Sequence, residues 1–424
     1  MVKVNNRDII SSMKIALVHD YIKEYGGAEK VLETLHEIFP KAPVFTSVYL
    51  PQFLGPHKER FENWDIRTSW LQNIPFKEKL ISPFRIISPF VFKSFDLSGF
   101  DLVIVSQTGA YFPNCIRCHP EGAERLKDPQ QDRKTVGILR SPLVTQNDKR
   151  RRQIHITYCH TPPRYLYGYK TARQWKNNMV LRILGEVANH FLRIVDFNAS
   201  RNVDYFIANS QEVASRIKKF YRRKSMVIYP PVNNSKFKIQ NSKSQFKTQK
   251  FQYYLTGGRL ARAKGTDIII DAFVKLDKPL KVFGKGFAGF EQELKVQSSK
   301  FKVNNIEFLG EVSDEEKFEL MRNAKAYIFA SFDEDFGITP VEAMSVGTPV
   351  IAYKSGGVKE TVIDGKIGIL YDENTSCSIT EAVKKFEKTK FDSNECIKQA
   401  QKFSEEKFKR EFLKFLKTNI GSFG

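Results

Sequence analysis

The sequence predicts an α/β chain built as two doubly wound, parallel-sheet domains that face each other across a deep cleft. Three observations predict it. The chain has 424 residues, which suits two cores of roughly 200 residues each better than one. Short β-rich runs alternate with helix-length periodic segments, the pattern of parallel sheets covered by helices. That alternation runs twice, with a break rich in proline and asparagine between the passes.

The first pass holds the strand-like runs "KIALV", "PVFTSVY", "DLVIV", "IHITY" and "DYFIA". Within it, "GAEKVLETLHEIF" sets Val31, Leu32, Leu35, Ile38 and Phe39 on one helical face. The break is "SMVIYPPVNNSKF", followed by the polar, self-similar "KFKIQNSKSQFKTQKFQ", which reads as a surface loop. The second pass holds "QYYLT", "LKVFG", "IEFLG", "AYIFA" and "TPVIAY". Residues Cys118 to Gln153 read as an insertion before "IHITY". The last segment, "FSEEKFKREFLKFLK", repeats Phe403, Phe408, Phe412 and Phe415 at helical spacing and predicts a terminal helix packing back on the body. The expected boundaries are a Rossmann-like domain over 1–225, a hinge and low-complexity loop over 226–252, a second domain over 253–405 and a crossover helix over 406–424.

Hydrophobic content of 41% and aromatic content of 13% can fill two such cores. No run reaches the ~20 apolar residues of a membrane span. The first twenty residues lack a long apolar stretch before a cleavage site, so no secretory signal is expected. Five irregularly spaced cysteines suit a reducing cytoplasm. The net charge is +21, of which +15 falls in residues 1–225 and +6 beyond them. An excess this uneven implies a negatively charged partner: nucleic acid, anionic lipid headgroups or phosphorylated ligands. No RNA- or DNA-binding motif accompanies it, which argues against nucleic acid.

Ligands of doubly wound sheets bind beyond the carboxyl ends of the strands, so the chemistry is sought there. After "KIALVHDY", Gly26 and Gly27 precede a helix whose N-terminus can cradle an anion; an ordinary glycine turn explains them equally well. After "IHITYC", His160 heads a loop stiffened by two prolines and can exchange a proton near neutral pH. After "QYYLT", Arg259 and Lys264 lie five apart on a glycine-flanked loop and suit a diphosphate. Gly284, Gly286 and Gly289 fit G-x-G-x-x-G, with Glu307 about 20 residues on. The pattern opens the second strand–helix unit of its domain, so it reads as a tight turn rather than a dinucleotide site. Cys115, Cys118 and His119 fit a haem-attachment pattern by chance, since that chemistry needs export. Last, "FDEDFGITPVEAM" puts Glu334 in an acidic loop and Glu342 on a helix, with Thr339 as expected N-cap, Pro340 at N1 and Glu342 at N3 of a capping box. Asp333-Glu334-Asp335 also fits an Asp-x-Asp metal pattern, but a glycine turn in a doubly wound half does not suit one.

Taken together, "DEDFGITPVEAMSVGTPVIA" with its Glu334/Glu342 pair, "GGRLARAKG", "SGGVKETVIDGKIGILY", "IANSQEVASRIKKFY" and "VIYPPVNNSKF" resemble the retaining GT-B glycosyltransferases of family four. "HDYIKEYGGAEKVLETL" and "YCHTPPRYLYGY" resemble its bacterial surface-polysaccharide mannosyltransferase branch. The resemblance implies roles. Glu342 would bind the ribose of a nucleotide, and Glu334 the hydroxyls of the donor sugar. The amides of Phe336, Gly337, Ile338 and Thr339 would meet the phosphates. Arg259 and Lys264 would neutralise the diphosphate leaving group in place of a metal, so no metal or other cofactor is expected. His160 would contact the sugar, and Gly26 and Gly27 would let backbone approach phosphate and acceptor.

The expectation is an enzyme that moves a hexose, mannose from GDP-mannose in the favoured case, with retention onto a glycan or lipid-linked acceptor. A same-face route is expected, because no second carboxylate is evident beside His160. Rival readings are a UDP-sugar-dependent transferase, a sugar-nucleotide epimerase and an anion- or nucleic-acid-binding protein. The basic first half suggests docking on the inner face of the cell membrane through Arg85, Lys93, Lys149, Arg150, Arg151 and Arg152, with Phe84, Phe90 and Phe92 as apolar contacts.

Overall fold

The computed structural model describes residues 12–117, 153–169, 179–232, 253–286 and 304–420, with parts of 290–296. Residues 118–152, with Cys118, His119 and the basic run at 149–152, lie outside them, as do Gly289 and the loop at 235–252.

Two all-parallel sheets form the frame. The first holds β1 (Ile15–His19), β2 (Val44–Thr46), β3 (Ile66–Thr68), β4 (Leu102–Gln107), β5 (Ile154–Cys159), β6 (Tyr205–Ala208) and β7 (Ser225–Val227), in spatial order 3-2-1-4-5-6-7. The second holds β8 (Tyr254–Gly257), β9 (Leu280–Phe283), β10 (Ile306–Gly310), β11 (Tyr327–Phe329), β12 (Val350–Tyr353) and β13 (Gly368–Tyr371), in order 10-9-8-11-12-13. The strand order of each sheet therefore reverses once, between β1 and β4 and between β8 and β11. Such switch points open a crevice at the carboxyl ends of the strands. Central strands are buried along their whole length, as sheets covered on both faces require.

The helices that matter for the site are α1 (Gly27–Ile38), α2 (Phe84–Lys93), α3 (Met179–Ser200), α4 (Gln211–Tyr221), α5 (Thr266–Leu276), α6 (Asp314–Asn323), α7 (Ile338–Ser345) and α8 (Glu405–Asn419). The apolar face of α1 packs as its spacing predicts, with Val31, Leu32 and Leu35 buried against β1 and β4 residues. The chain's last helix, α8, returns to the first domain: Phe408, Phe412, Phe415 and Leu416 join the core of Leu17, Ile104 and Ile156. Phe403 departs from the expected helical row. It precedes α8 and belongs to the second domain's core, beside Phe336.

Two membrane-contact expectations are corrected. Phe84 and Phe92 face inward from α2 and are buried in the first domain's core, so Ile86 and Phe90 are the large apolar side chains the helix exposes, beside an exposed Lys93. Arg85 is also engaged inside the domain, with its guanidinium 3.9 Å from the Tyr165 ring centre and its Nε donating to Ala110 O.

Candidate functional site

The acidic loop between β11 and α7 is shaped by glycine. Gly337 (φ +86°) is the N-cap of α7, so the helix starts at Ile338. This corrects the capping box expected at Thr339. The left-handed turn at Gly337 begins the helix before Thr339 can cap it, and no side chain caps it at all. The amides of its first turn are thus left for a ligand, and Glu342 is released from capping. Opposite this turn, Gly356 and Gly357 lie against the loop's backbone. A Cβ on Gly356 would sit 2.0 Å from Glu334 O, and one on Gly357 2.5 Å from Phe336 Cα. Gly357 N donates to Glu334 O at 2.9 Å, so the loop is braced from below.

The loop after β8 is stitched to this one. Gly265 (φ +65°) permits a close approach, since a Cβ there would meet Ala330 O at 2.4 Å. Phe332 N donates to Ala263 O at 2.9 Å. That contact carries Lys264 over Glu334, and Lys264 Nζ bonds Glu334 Oε2 at 2.6 Å. Burial alone would push the Glu334 carboxyl up; Lys264 and Arg164 outweigh it and hold it at about 2. Glu342 behaves alike. Lys30 Nζ from α1 and Lys317 Nζ from α6 bond its Oε1 at 2.6 and 3.2 Å, and they overcome burial to hold it at about 2. Both carboxylates are therefore ionised in a site that excludes most water. Arg259 reaches across to the first domain and pairs with Glu24.

From the other side, Gly26 and Gly27 start α1 against α7. A Cβ on Gly27 would lie 2.5 Å from Ile338 Cδ1, so any larger residue would have to displace that side chain where the two helix N-termini meet. His160 ends β5. It makes no hydrogen bond to either carboxylate; its Nε2 is 3.0 Å from Ser106 Oγ. Its neighbour Thr161 connects it to the acidic loop, because Arg216 Nη1 donates both to Thr161 Oγ1 and to Asp335 Oδ1.

Sequence reasoning missed the residues that bind the domains together. Arg164, four residues beyond His160, donates to Asp335 Oδ1 at 2.8 Å and to Asp333 O. Arg216 joins it on the same carboxylate from α4. Ser210 caps α4 and donates to Asp335 O, while Glu360 accepts from the amides of Gln211 and Glu212 at 2.8 and 3.0 Å. Lys30 and Lys317 were missed too. Arg164 stands inside "HTPPR" and Arg216 inside "NSQEVASR", so proximity to a motif was the available signal. The glycine fingerprint resolves as a turn: Gly284 (φ +119°) lets its backbone approach Gly258, and Glu307 pairs with Lys281 on the sheet edge.

Residues 237–403 match the family model described as Glycosyl transferases group 1. That stretch of the chain is similar to the group 1 glycosyltransferases. An uncharacterized glycosyltransferase, MJ1178 of Methanocaldococcus jannaschii, is 29% identical over 185 residues, covering 44% of this chain and 50% of the relative. The alpha-1,3/1,6-mannosyltransferase ALG2 of Dictyostelium discoideum is 28% identical over 250 residues, covering 50% and 57%. The chain thus spans about half the length of the curated relatives it matches. Among solved structures, Anabaena Alr3699/HepE in complex with UDP and glucose superposes with a TM-score of 0.65 at 20% identity, over 95% of this chain and 99% of that one. The chain accordingly has the two-domain GT-B fold.

Proposed function

We propose that the protein transfers mannose from GDP-mannose, with retention, to a glycan or lipid-linked acceptor of cell-surface polysaccharide synthesis. One observation carries the transferase reading. Two ionised carboxylates flank an uncapped helix N-terminus at a switch point, each already neutralised by lysine. An uncapped N-terminus offers amides and a positive dipole to phosphate. Lys264 and Arg259 supply the countercharge that a diphosphate needs as it departs, so no divalent metal is required. Glu342 keeps Oε2 for a ribose hydroxyl while the lysines hold Oε1. The mannosyl donor is supported by the relation to ALG2.

The test is a thermal-shift panel with GDP, UDP, ADP and their sugars in EDTA. GDP and GDP-mannose should raise the melting temperature, by mass action on the folded state, and Glu342→Gln should abolish the rise. A shift with UDP-sugars alone would overturn the donor. No shift at millimolar nucleotide would overturn the site.

We further propose that the first domain docks on anionic lipid. On α3, Met179, Ile183, Val187, Phe191 and Ile194 are all exposed, and their spacing places them on one side of the helix. Leu192 and Ala199 on the opposite side are buried in the domain core. Helix α2 packs beside α3 and adds Ile86 and Phe90. A second apolar face on a helix of a domain carrying +15 suits the headgroup boundary of an anionic membrane. The inner side of α3 holds the loop that follows His160, through Arg193 to Leu166 O and Asp196 to Tyr167. A lipid-linked acceptor would therefore arrive one loop from the site. Co-sedimentation should show binding to vesicles containing phosphatidylglycerol and little to pure phosphatidylcholine. The Ile183→Asp/Phe191→Asp pair should cut binding about tenfold or more, as the loss of two inserted apolar side chains implies. Equal binding to both vesicles, or dimerisation abolished by the same pair, would overturn the membrane surface.

A further inference from the structure

Beneath Gly26 and Gly27 runs a line of polar side chains that the proposed transfer leaves without a role. Glu29 lies in the first turn of α1, and its Oε2 accepts from Gly26 N at 2.9 Å. Its Oε1 is 3.5 Å from Nε2 of His19, the last residue of β1. His19 Nδ1 is 3.1 Å from Ser106 Oγ on β4, and Ser106 Oγ is 3.0 Å from His160 Nε2 at the end of β5. The three strands are neighbours in the sheet, with His19 paired in register to Ser106. All four groups thus stand in one row across the first domain's switch point.

The row has a direction. A serine hydroxyl carries one proton, so between two imidazoles it donates to one and accepts from the other. His19 Nε2 is fully buried and makes no hydrogen bond; the charge beside it is the Glu29 carboxylate. A bare nitrogen there would face its lone pair against an anion, so the proton belongs on Nε2. In the neutral imidazole, His19 Nδ1 is then bare and accepts the Ser106 hydroxyl proton. The Ser106 oxygen in turn accepts from His160 Nε2–H. Burial, with help from His19, holds the His160 imidazole down at about 3, so it is neutral and has one proton to place. Its Nδ1 makes no hydrogen bond among the described residues and is not sealed from solvent.

We infer that Glu29, His19 and Ser106 are positioning residues that fix His160 as the Nε2–H tautomer and present its bare Nδ1 as an acceptor to a hydroxyl of the bound sugar. The tautomer follows from the row itself; that the hydroxyl is a sugar's rests on the transferase reading. The same carboxylate that closes the glycine loop on Gly26 therefore sets the hydrogen-bonding sense of a histidine two strands away.

Nitrogen-15 NMR of the seven histidines reads this directly in the full chain without ligand. His160, assigned by the loss of its signals in His160→Asn, should show a protonated Nε2 and a bare Nδ1. Glu29→Gln should reverse the row. Its amide oxygen can still accept from Gly26, while its NH₂ donates to His19 Nε2, so the proton on His160 moves to Nδ1. Ser106→Ala should leave His160 a mixture of tautomers, and Ser106→Thr should restore one. A wild-type His160 protonated at Nδ1 would overturn the inference, as would a tautomer unchanged by both Glu29→Gln and Ser106→Ala. Should Glu29→Gln fail to fold, the wild-type spectrum and the Ser106 pair decide. No donor is present in this measurement, so its failure leaves the transferase reading standing. The expected tautomer in a protein that binds no nucleotide would overturn that reading alone.

Discussion

Glu334→Gln should lower kcat by about 10²-fold or more, a larger loss than the accompanying fall in melting temperature accounts for. The carboxylate is buried, ionised and pressed against Lys264. In the proposed transfer the bond from the anomeric carbon to the diphosphate breaks, and positive charge develops on the sugar beside Glu334. Glutamine keeps the shape and one acceptor but removes the negative charge. Charge placed in advance in a water-poor site is worth several kcal/mol to a transition state, and a 10²-fold loss corresponds to about 2.7 kcal/mol. The donor KM should fall or hold steady, because Lys264, freed from its partner, is available to the diphosphate. Steady-state kinetics beside a thermal melt separate the two effects. A Glu334→Gln enzyme with full kcat would move the chemistry away from this loop.

The sequence reveals central features and hides relations between distant residues. The buried strands were visible because a parallel sheet covered on both faces needs continuous apolar runs, as "DLVIV" and "IHITY" show. The strands β3, β7 and β13 were not: all three sit at sheet edges, and β3 and β7 are three residues long and only half buried. "SMV" was absorbed into the break for that reason. The pairing of Glu334 with the helix start at α7 was legible from local glycine chemistry, but its cap was misplaced. Thr339 and Pro340 read as a helix start, and only the backbone at Gly337 reveals the earlier turn. The partners of the carboxylates were illegible in principle. Lys30 and Glu342 are 312 residues apart, and no periodicity joins a lysine in one domain to a glutamate in the other. In so basic a chain, Arg164, Arg216 and Lys30 could not be told from solvated surface charge.

Asp335→Ala should be the most destabilising single change at the domain junction, by about 3–5 kcal/mol. Asp335 Oδ1 is shared by Arg164 and Arg216, and the Arg216 side chain is only 2% exposed. Taking away the carboxylate leaves two guanidinium groups side by side, one of them sealed from water and left with Glu212 alone, at 3.2 Å, as its carboxylate among the described residues. The Coulomb repulsion and the lost hydrogen bonds act in the same direction, whereas a surface ion pair would contribute 1 kcal/mol at most. Arg216→Met tests the assignment, because an apolar side chain of similar length removes the stranded charge. Combined with Asp335→Ala it should recover part of the loss, so that the two changes together cost less than their sum by about 1.5 kcal/mol or more in urea unfolding. The same junction holds the loop that presents Glu334, so Asp335→Ala should also lower turnover at temperatures where the protein remains folded. A single Asp335→Ala variant within about 0.5 kcal/mol of the parent, which is the range of ordinary surface substitutions, would show that the clasp does not hold the domains together. Glu360, which caps α4 across the same junction, and Ser210, which donates to the backbone carbonyl of Asp335, would then be ties that hold the acidic loop's side of the second domain to the first.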